Sequence, residues 1–326
     1  MRWQVNRRQM LLASGVLLMN VPALDAREAL QIPQGTGPLP PEWTTAPSIA
    51  LWDGPPPGAP ASAPVRSATL DPVFITGVAR PEMRVFRPEK SNGRAVLTIP
   101  GGAYNFVSIR NEGTDVARVL TALGYTVFVL VYRLPSEGWA ERWNVPLQDA
   151  QRAMRIIRAR AKDYSIDPAT VAVLGFSAGG HLAASLITAS EEQVYAPRDA
   201  ADRLDARPLC AGLIYPVIAA SAPHTHGLSA ETLLGPSPGA DRIALRSPAL
   251  HVDAATPPTF LVHALDDEAV PYPNSALFMD AMLAAGRPVE THYFEEGGHG
   301  FGIGPANAPA GQWPALFDAF LKRHAG

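Results

Sequence analysis

The amino-acid sequence predicts an α/β fold in which a mostly parallel central sheet is covered by helices on both faces. Two observations carry this. From residue 95 onward, short apolar runs rich in β-branched residues alternate with stretches of helical spacing, the pattern of repeated β-α units around one sheet. Glycine clusters also follow several of those runs, where such a sheet gathers its reacting groups, at the carboxyl ends of its strands.

The elements follow in chain order. Arg7-Arg8, an apolar stretch from Met10 to Val21, and small residues at Ala23 and Ala26 make the order of an export signal over residues 1–26. Asn6-Arg7-Arg8-Gln9-Met10-Leu11-Leu12 resembles a twin-arginine signal. The stretch is too short for an ordinary spanning helix, although an uncleaved signal can also act as an anchor. The expected localisation is therefore periplasmic or secreted, with no stable membrane span once the signal is gone. Residues 27–69 read as an arm. Ten prolines lie between Pro33 and Pro64, and proline lacks a donor and fixes φ, so neither helix nor ladder is expected there. Trp43 and Trp52 argue that the arm lies on the protein surface and is not a solvated tether.

The remaining residues, 70–326, are expected to form one catalytic domain. Strand-like runs occupy 95–99, 126–132, 171–174, 211–215, 259–264 and 289–294. Helical spacing marks 114–123, 146–164, 177–189, 274–285 and 313–324. In the second of these helices, arginines 152, 155, 158 and 160 are expected to face water. The segments 191–208 and 219–246 carry no clear period.

Composition narrows the function. The 27 basic and 30 acidic side chains provide no positive field for phosphates, which argues against a nucleic-acid partner. Cys210 is the single cysteine, so no intramolecular disulfide or multi-cysteine zinc site can form. His224 and His226 form a lone H-x-H without a third ligand and read as polar loop surface. No metal or other cofactor is expected.

Gly175-Phe176-Ser177-Ala178-Gly179 matches G-x-S-x-G between a strand-like run and a helical one, the context in which a sharp turn lifts a serine hydroxyl above a sheet. A serine needs a base to take its proton, and histidine titrates in the right range. His299 lies among Gly297, Gly298, Gly300 and Gly302 directly after a strand, where the other histidines do not. His181 reads as packing behind the serine and His263 as core edge. Asp266-Asp267-Glu268 follows the 259–264 run. Asp267 is the expected partner of His299, Asp266 the alternative. The order serine, aspartate, histidine fits this architecture. Backbone N–H groups of Gly102, Ala103 and Ala178 are the expected donors to a developing oxyanion.

Together these motifs resemble the α/β-hydrolase superfamily over about residues 70–324, in particular the carbohydrate acetyl esterase (acetyl xylan esterase-like) branch. Ile99-Pro100-Gly101-Gly102-Ala103-Tyr104 has proline where the lipase-like branch has histidine. Ser108-Ile109-Arg110-Asn111-Glu112-Gly113 and Ser247-Pro248-Ala249-Leu250-His251-Val252 are also similar to the sugar-esterase branch. The resemblance implies an exported serine esterase that cleaves short acyl esters, acetyl above all, on carbohydrates such as xylan fragments. The other readings are an aryl or lipid carboxylesterase, a serine peptidase, and a hydrolase-fold binding module without activity. The oligomeric state is left open.

Overall fold

The structure, a computed structural model, describes residues 38–325. The expected signal at 1–26 and the first part of the arm lie outside the described residues.

The arm does form both a helical turn and a ladder, contrary to expectation. Pro41–Thr45 is a single turn (α1) and Ser48–Ala50 a short strand (β1). Two of the described prolines show how the segment accommodates them. Pro41 opens the turn, where the N–H would be unpaired anyway. Pro47 precedes β1 and uses its carbonyl, which accepts from Val85 N–H at 2.9 Å. Phe74–Ile75 (β2) and then Glu82–Phe86 (β3) follow, and β1 pairs antiparallel with β3.

The remaining elements are Ala95–Ile99 (β4), Val107–Ser108 (β5), Asp115–Ala122 (α2), Thr126–Val131 (β6), Val145–Ala159 (α3), Val171–Phe176 (β7) and Ser177–Thr188 (α4). Then come Ala211–Ile214 (β8), Gly227–Leu234 (α5), Ala240–Leu245 (α6), Thr259–Ala264 (β9), Pro273–Ala284 (α7), Val289–Phe294 (β10) and Trp313–His324 (α8). All six strand-like runs are strands. The 146–164 helix ends at Ala159 and continues as a tighter turn over Ala161–Tyr164.

The main sheet has the order β1-β3-β6-β4-β7-β8-β9-β10, with β3 antiparallel to both neighbours and the other strands parallel. From β4 the chain steps outward to β6, then returns past β4 to β7. Right-handed crossovers then put α2 on one face and α3, α4 and α7 on the other. The last helix, α8, closes the α2 face: Tyr125 O–H donates to Asp318 at 2.8 Å, and Phe317 packs on Phe260 of β9. That contact needs Gly212 in β8, since a Cβ there would sit 2.7 Å from the Phe317 ring. No helix of the described residues is long and apolar enough to cross a membrane.

The arm docks through polar anchors that a helical wheel does not show. Arg133, just past β6, is fully buried and forks onto Asp149 of α3. Trp52 N–H donates to the same carboxylate at 2.8 Å, and Arg133 also donates to Pro57 O at 2.7 Å. Arg152 does not face water: it is 3% exposed, donates to Leu51 O at 2.9 Å and pairs with Asp199 and Asp202. The arm covers it, and Asp199, Asp202 and Leu51 O offset the cost of burying the charge. Of the other three arginines, 155 and 158 are half-buried and 160 is exposed.

Candidate active site

The strand β7 runs into α4 without a connecting loop, and Ser177 is the first helical residue. It holds φ +51°, a region that side chains other than glycine rarely adopt. Flanking glycines make the bend possible. A Cβ on Gly175 would meet Gly179 O at 2.3 Å, and one on Gly179 would meet Ile99 O at 2.2 Å. The serine is thereby pressed against the carboxyl end of β4.

Ser177 Oγ lies 2.8 Å from His299 Nε2, and His299 Nδ1 lies 2.7 Å from Asp267 Oδ2. The carboxylate can only accept, so Nδ1 carries the proton and Nε2 is left to accept from the serine. Burial by itself would push the Asp267 carboxyl up. Hydrogen bonds from His263 and His299, the His299 charge and Val270 N–H outweigh it and hold Asp267 well below the ordinary carboxylate range. Asp266, the alternative, instead accepts from Gly298 N–H at 2.8 Å, one residue before the imidazole. Such a chain of hydroxyl, neutral imidazole and ionised carboxylate can move a proton off Ser177 as the oxygen attacks.

The loop after β4 passes over the serine. A Cβ on Gly101 would stand 2.8 Å from Ser177 Cβ. Gly102 has φ +131°, and Ala103 at +51° and Tyr104 at +62° share its left-handed path. Ala103 therefore adopts the conformation that a third glycine would take freely. Among the described residues, Gly102 and Ala103 N–H donate to no protein acceptor. Ala178 N–H, in the first turn of α4, has no partner within its helix. The expected donors thus stay available beside Ser177.

Several contributors were not legible in the sequence. His263 is buried, with Nδ1 2.7 Å from Ser275 Oγ and Nε2 2.8 Å from Val270 O and 3.3 Å from Asp267 Oδ2. It holds the aspartate from behind. His226, read as loop surface, is half-buried ahead of α5, where the charges of His299 and Asp267 reach it. Its Nδ1 lies 2.7 Å from Ser229 Oγ. Burial pushes it down to about 4, with the His299 charge adding to that, so it stays neutral near pH 7. His181 donates from Nε2 to Arg246 O and accepts from Tyr104 O–H at 2.8 Å, which ties α4 to the oxyanion loop. Glu112 and Tyr215 lie beneath the site. Glu112 accepts from Gly101 N–H at 2.7 Å and Tyr215 O–H at 2.9 Å. Glu112, Tyr215 and His181 meet partners distant in sequence, which a local pattern does not record.

Known proteins share this frame. The acetylxylan esterase of Xylanibacter ruminicola is 34% identical over 233 residues, 68% of this chain and 44% of that protein. Endo-1,4-beta-xylanase B of Butyrivibrio fibrisolvens is 34% identical over 208 residues, 64% of this chain and 32% of that one. The chain thus spans less than half the length of either. Among solved structures, the acetyl ester-xyloside bifunctional hydrolase of Caldicellulosiruptor lactoaceticus superposes with a TM-score of 0.69 at 31% identity, over 85% of this chain and 96% of that one. The fold is that of the α/β hydrolases. The BD-FAE family model matches residues 83–282, from β3 through α7 and across both the serine elbow and the aspartate loop, and the chain belongs to that family.

Proposed function

We propose that the protein is an exported serine ester hydrolase that removes short acyl groups, acetyl foremost, from carbohydrates such as xylan fragments. The observation that carries this reading is the unbroken chain Ser177–His299–Asp267, at 2.8 and 2.7 Å, beside the free N–H groups of the oxyanion loop. Ser177 Oγ attacks the ester carbonyl as His299 Nε2 takes its proton. Asp267 steadies the imidazolium, and N–H groups of Gly102, Ala103 and Ala178 receive the oxyanion. His299 then protonates the leaving sugar oxygen. Water, deprotonated by the same imidazole, releases the acid and restores the serine.

One feature supports the substrate half of the reading. Likeness to an acetylxylan esterase and to an acetyl ester-xyloside hydrolase points to acetylated sugars. Glycosidic cleavage, in the name of the Butyrivibrio relative, ordinarily needs two carboxylates flanking the bond. Asp267 and Glu112, two acids of the site, are both turned onto protein donors, which supports acyl transfer. Export rests on the Arg7-Arg8 signal and is checked by cell fractionation of an Arg7→Lys/Arg8→Lys variant, expected to remain inside the cell.

The deciding experiment is acetate release from acetylated xylo-oligosaccharides together with p-nitrophenyl esters of increasing acyl length. Activity should fall steeply beyond short acyl groups, and Ser177→Ala should lose roughly 10⁴-fold or more in kcat. Equal rates on long-chain esters would favour a general carboxylesterase. Full activity in Ser177→Ala would overturn the mechanism.

A further inference from the structure

We propose that Glu112 and Tyr215 are positioning residues: an ionised carboxylate and a phenol beneath the site that hold the oxyanion loop and the histidine loop in one register. The proposal rests on the esterase reading above. Glu112 is 4% exposed and lies in a single π turn, Arg110–Thr114, between β5 and α2. Such turns widen the helix locally and recur at functional sites. Glu112 Oε2 accepts from Gly101 N–H, while Tyr132 O–H donates to Pro100 O at 3.0 Å. The Pro100–Gly101 peptide is therefore held at both edges, and the two N–H groups that follow it leave from a fixed plane. On the other side, Tyr215 Oη accepts from Gly302 N–H at 3.0 Å, three residues past His299. The Tyr215 ring meets the His299 ring edge-on, with centroids 5.1 Å apart. One buried bridge thus joins the donors for the oxyanion to the base that moves the proton.

The donor and acceptor count asks for a carboxylate. Tyr215 Oη already receives Gly302 N–H, so its own proton must go to Glu112, whose other oxygen receives Gly101 N–H. Two donors converge on one side chain, and only an acceptor-only group satisfies both. Glutamine serves one side and turns an N–H₂ toward the other. Burial raises the Glu112 carboxyl above its ordinary range, while Gly101 N–H, Tyr215 O–H and the His299 charge pull it back. Reciprocally, ionised Glu112 favours the imidazolium of His299. The groups that face His299 are Ser177, Asp267 and Tyr215, with Glu112 and His226 at longer range. Those that face Glu112 are Gly101, Tyr215, Tyr132 and His299.

The test compares wild type, Glu112→Gln and Tyr215→Phe on p-nitrophenyl acetate, with kcat and KM separated and kcat/KM followed across pH. Thermal melts establish the folded fraction. Both variants should lose about tenfold or more in kcat with KM nearly unchanged, since the defect lies in the transition state. In Glu112→Gln the acid limb of kcat/KM should also move to lower pH, because an anion that favours protonated His299 is gone. A folded Glu112→Gln with wild-type kcat and an unmoved acid limb overturns the proposal, as does a kcat loss that only follows the unfolded fraction. Should Glu112→Gln not fold, Tyr215→Phe decides by itself, and unchanged kcat and KM there overturn the bridge. Wild-type protein inactive on every ester, or an active Ser177→Ala, would remove the esterase reading instead.

Discussion

Asp266 and Asp267 are chemically the same group one position apart, yet the end of β9 aims them at different targets. Asp267 receives His299 Nδ1–H, while Asp266 receives Gly298 N–H. The first choice sets the tautomer of the base and the second only the path of its loop. Asp267→Asn should therefore lower kcat by about 10⁴-fold, since the amide can present a donor to Nδ1 and reverse the tautomer. Asp266→Asn retains an oxygen for Gly298 N–H and should stay within about tenfold of wild type. Steady-state kinetics on p-nitrophenyl acetate distinguish the two, and equal losses would contradict the assignment. The position of the acids after a strand pointed to this pair in the sequence. His263, which backs Asp267, was not legible as a contributor, because a histidine in a buried strand has the same pattern whether it fills space or donates a hydrogen bond.

At the scale of elements, the proline-rich arm is where the sequence misleads. Composition argues against regular structure, yet α1 and β1 form because their prolines fall at a helix start, where the N–H would be unpaired, and ahead of an edge strand, where at most one ladder bond is lost. β3 was equally hard to see. Its charged Glu82 and Arg84 alternate with the buried Met83 and Val85, and a five-residue alternation is a weak signal. The arm is fastened at Trp52, whose N–H reaches Asp149 and whose ring lies 5.6 Å from the guanidinium groups of Arg133 and Arg152. Trp52→Ala should lose about 3–5 kcal/mol of stability and should make the segment before Asp71 a preferred site of limited proteolysis. Trp52→Phe, which keeps an aromatic ring and loses the donor, should lose less. A melting temperature unchanged in Trp52→Ala would show that the arm is not fastened there.

At the scale of the molecule, the buried His181 and the half-buried His226 make stability depend on pH. His181 is pushed down to about 4 chiefly by burial, and His226 likewise, against an ordinary value of 6.5. Their folded values lie below their unfolded ones, so the unfolded chain binds more protons between those limits. Stability is fully present above about pH 6.5 and falls as pH drops toward 4, by about 3 kcal/mol for His181. Glu112 and Glu137 are raised and act in the opposite sense, so the histidine share is read by difference. The loss of denaturant midpoint between about pH 7 and 4.5 should be smaller in His181→Gln than in wild type. An equal loss in both would show that His181 is not the group being charged.

The same scale separates what each level of description decides. The sequence by itself determined the alternation of strands and helices, the serine elbow and the order of serine, aspartate and histidine. These are local patterns, read within one element or one turn. Only the tertiary structure decided which carboxylate meets His299, that Arg152 is buried beneath the arm, and that Glu112 and Tyr215 bridge the loop at Gly101 to the loop at Gly302. The physical reason is that buried polar groups must find partners wherever the fold brings them. Those partners are set by strand order and loop direction, and adjacent residues carry no record of either.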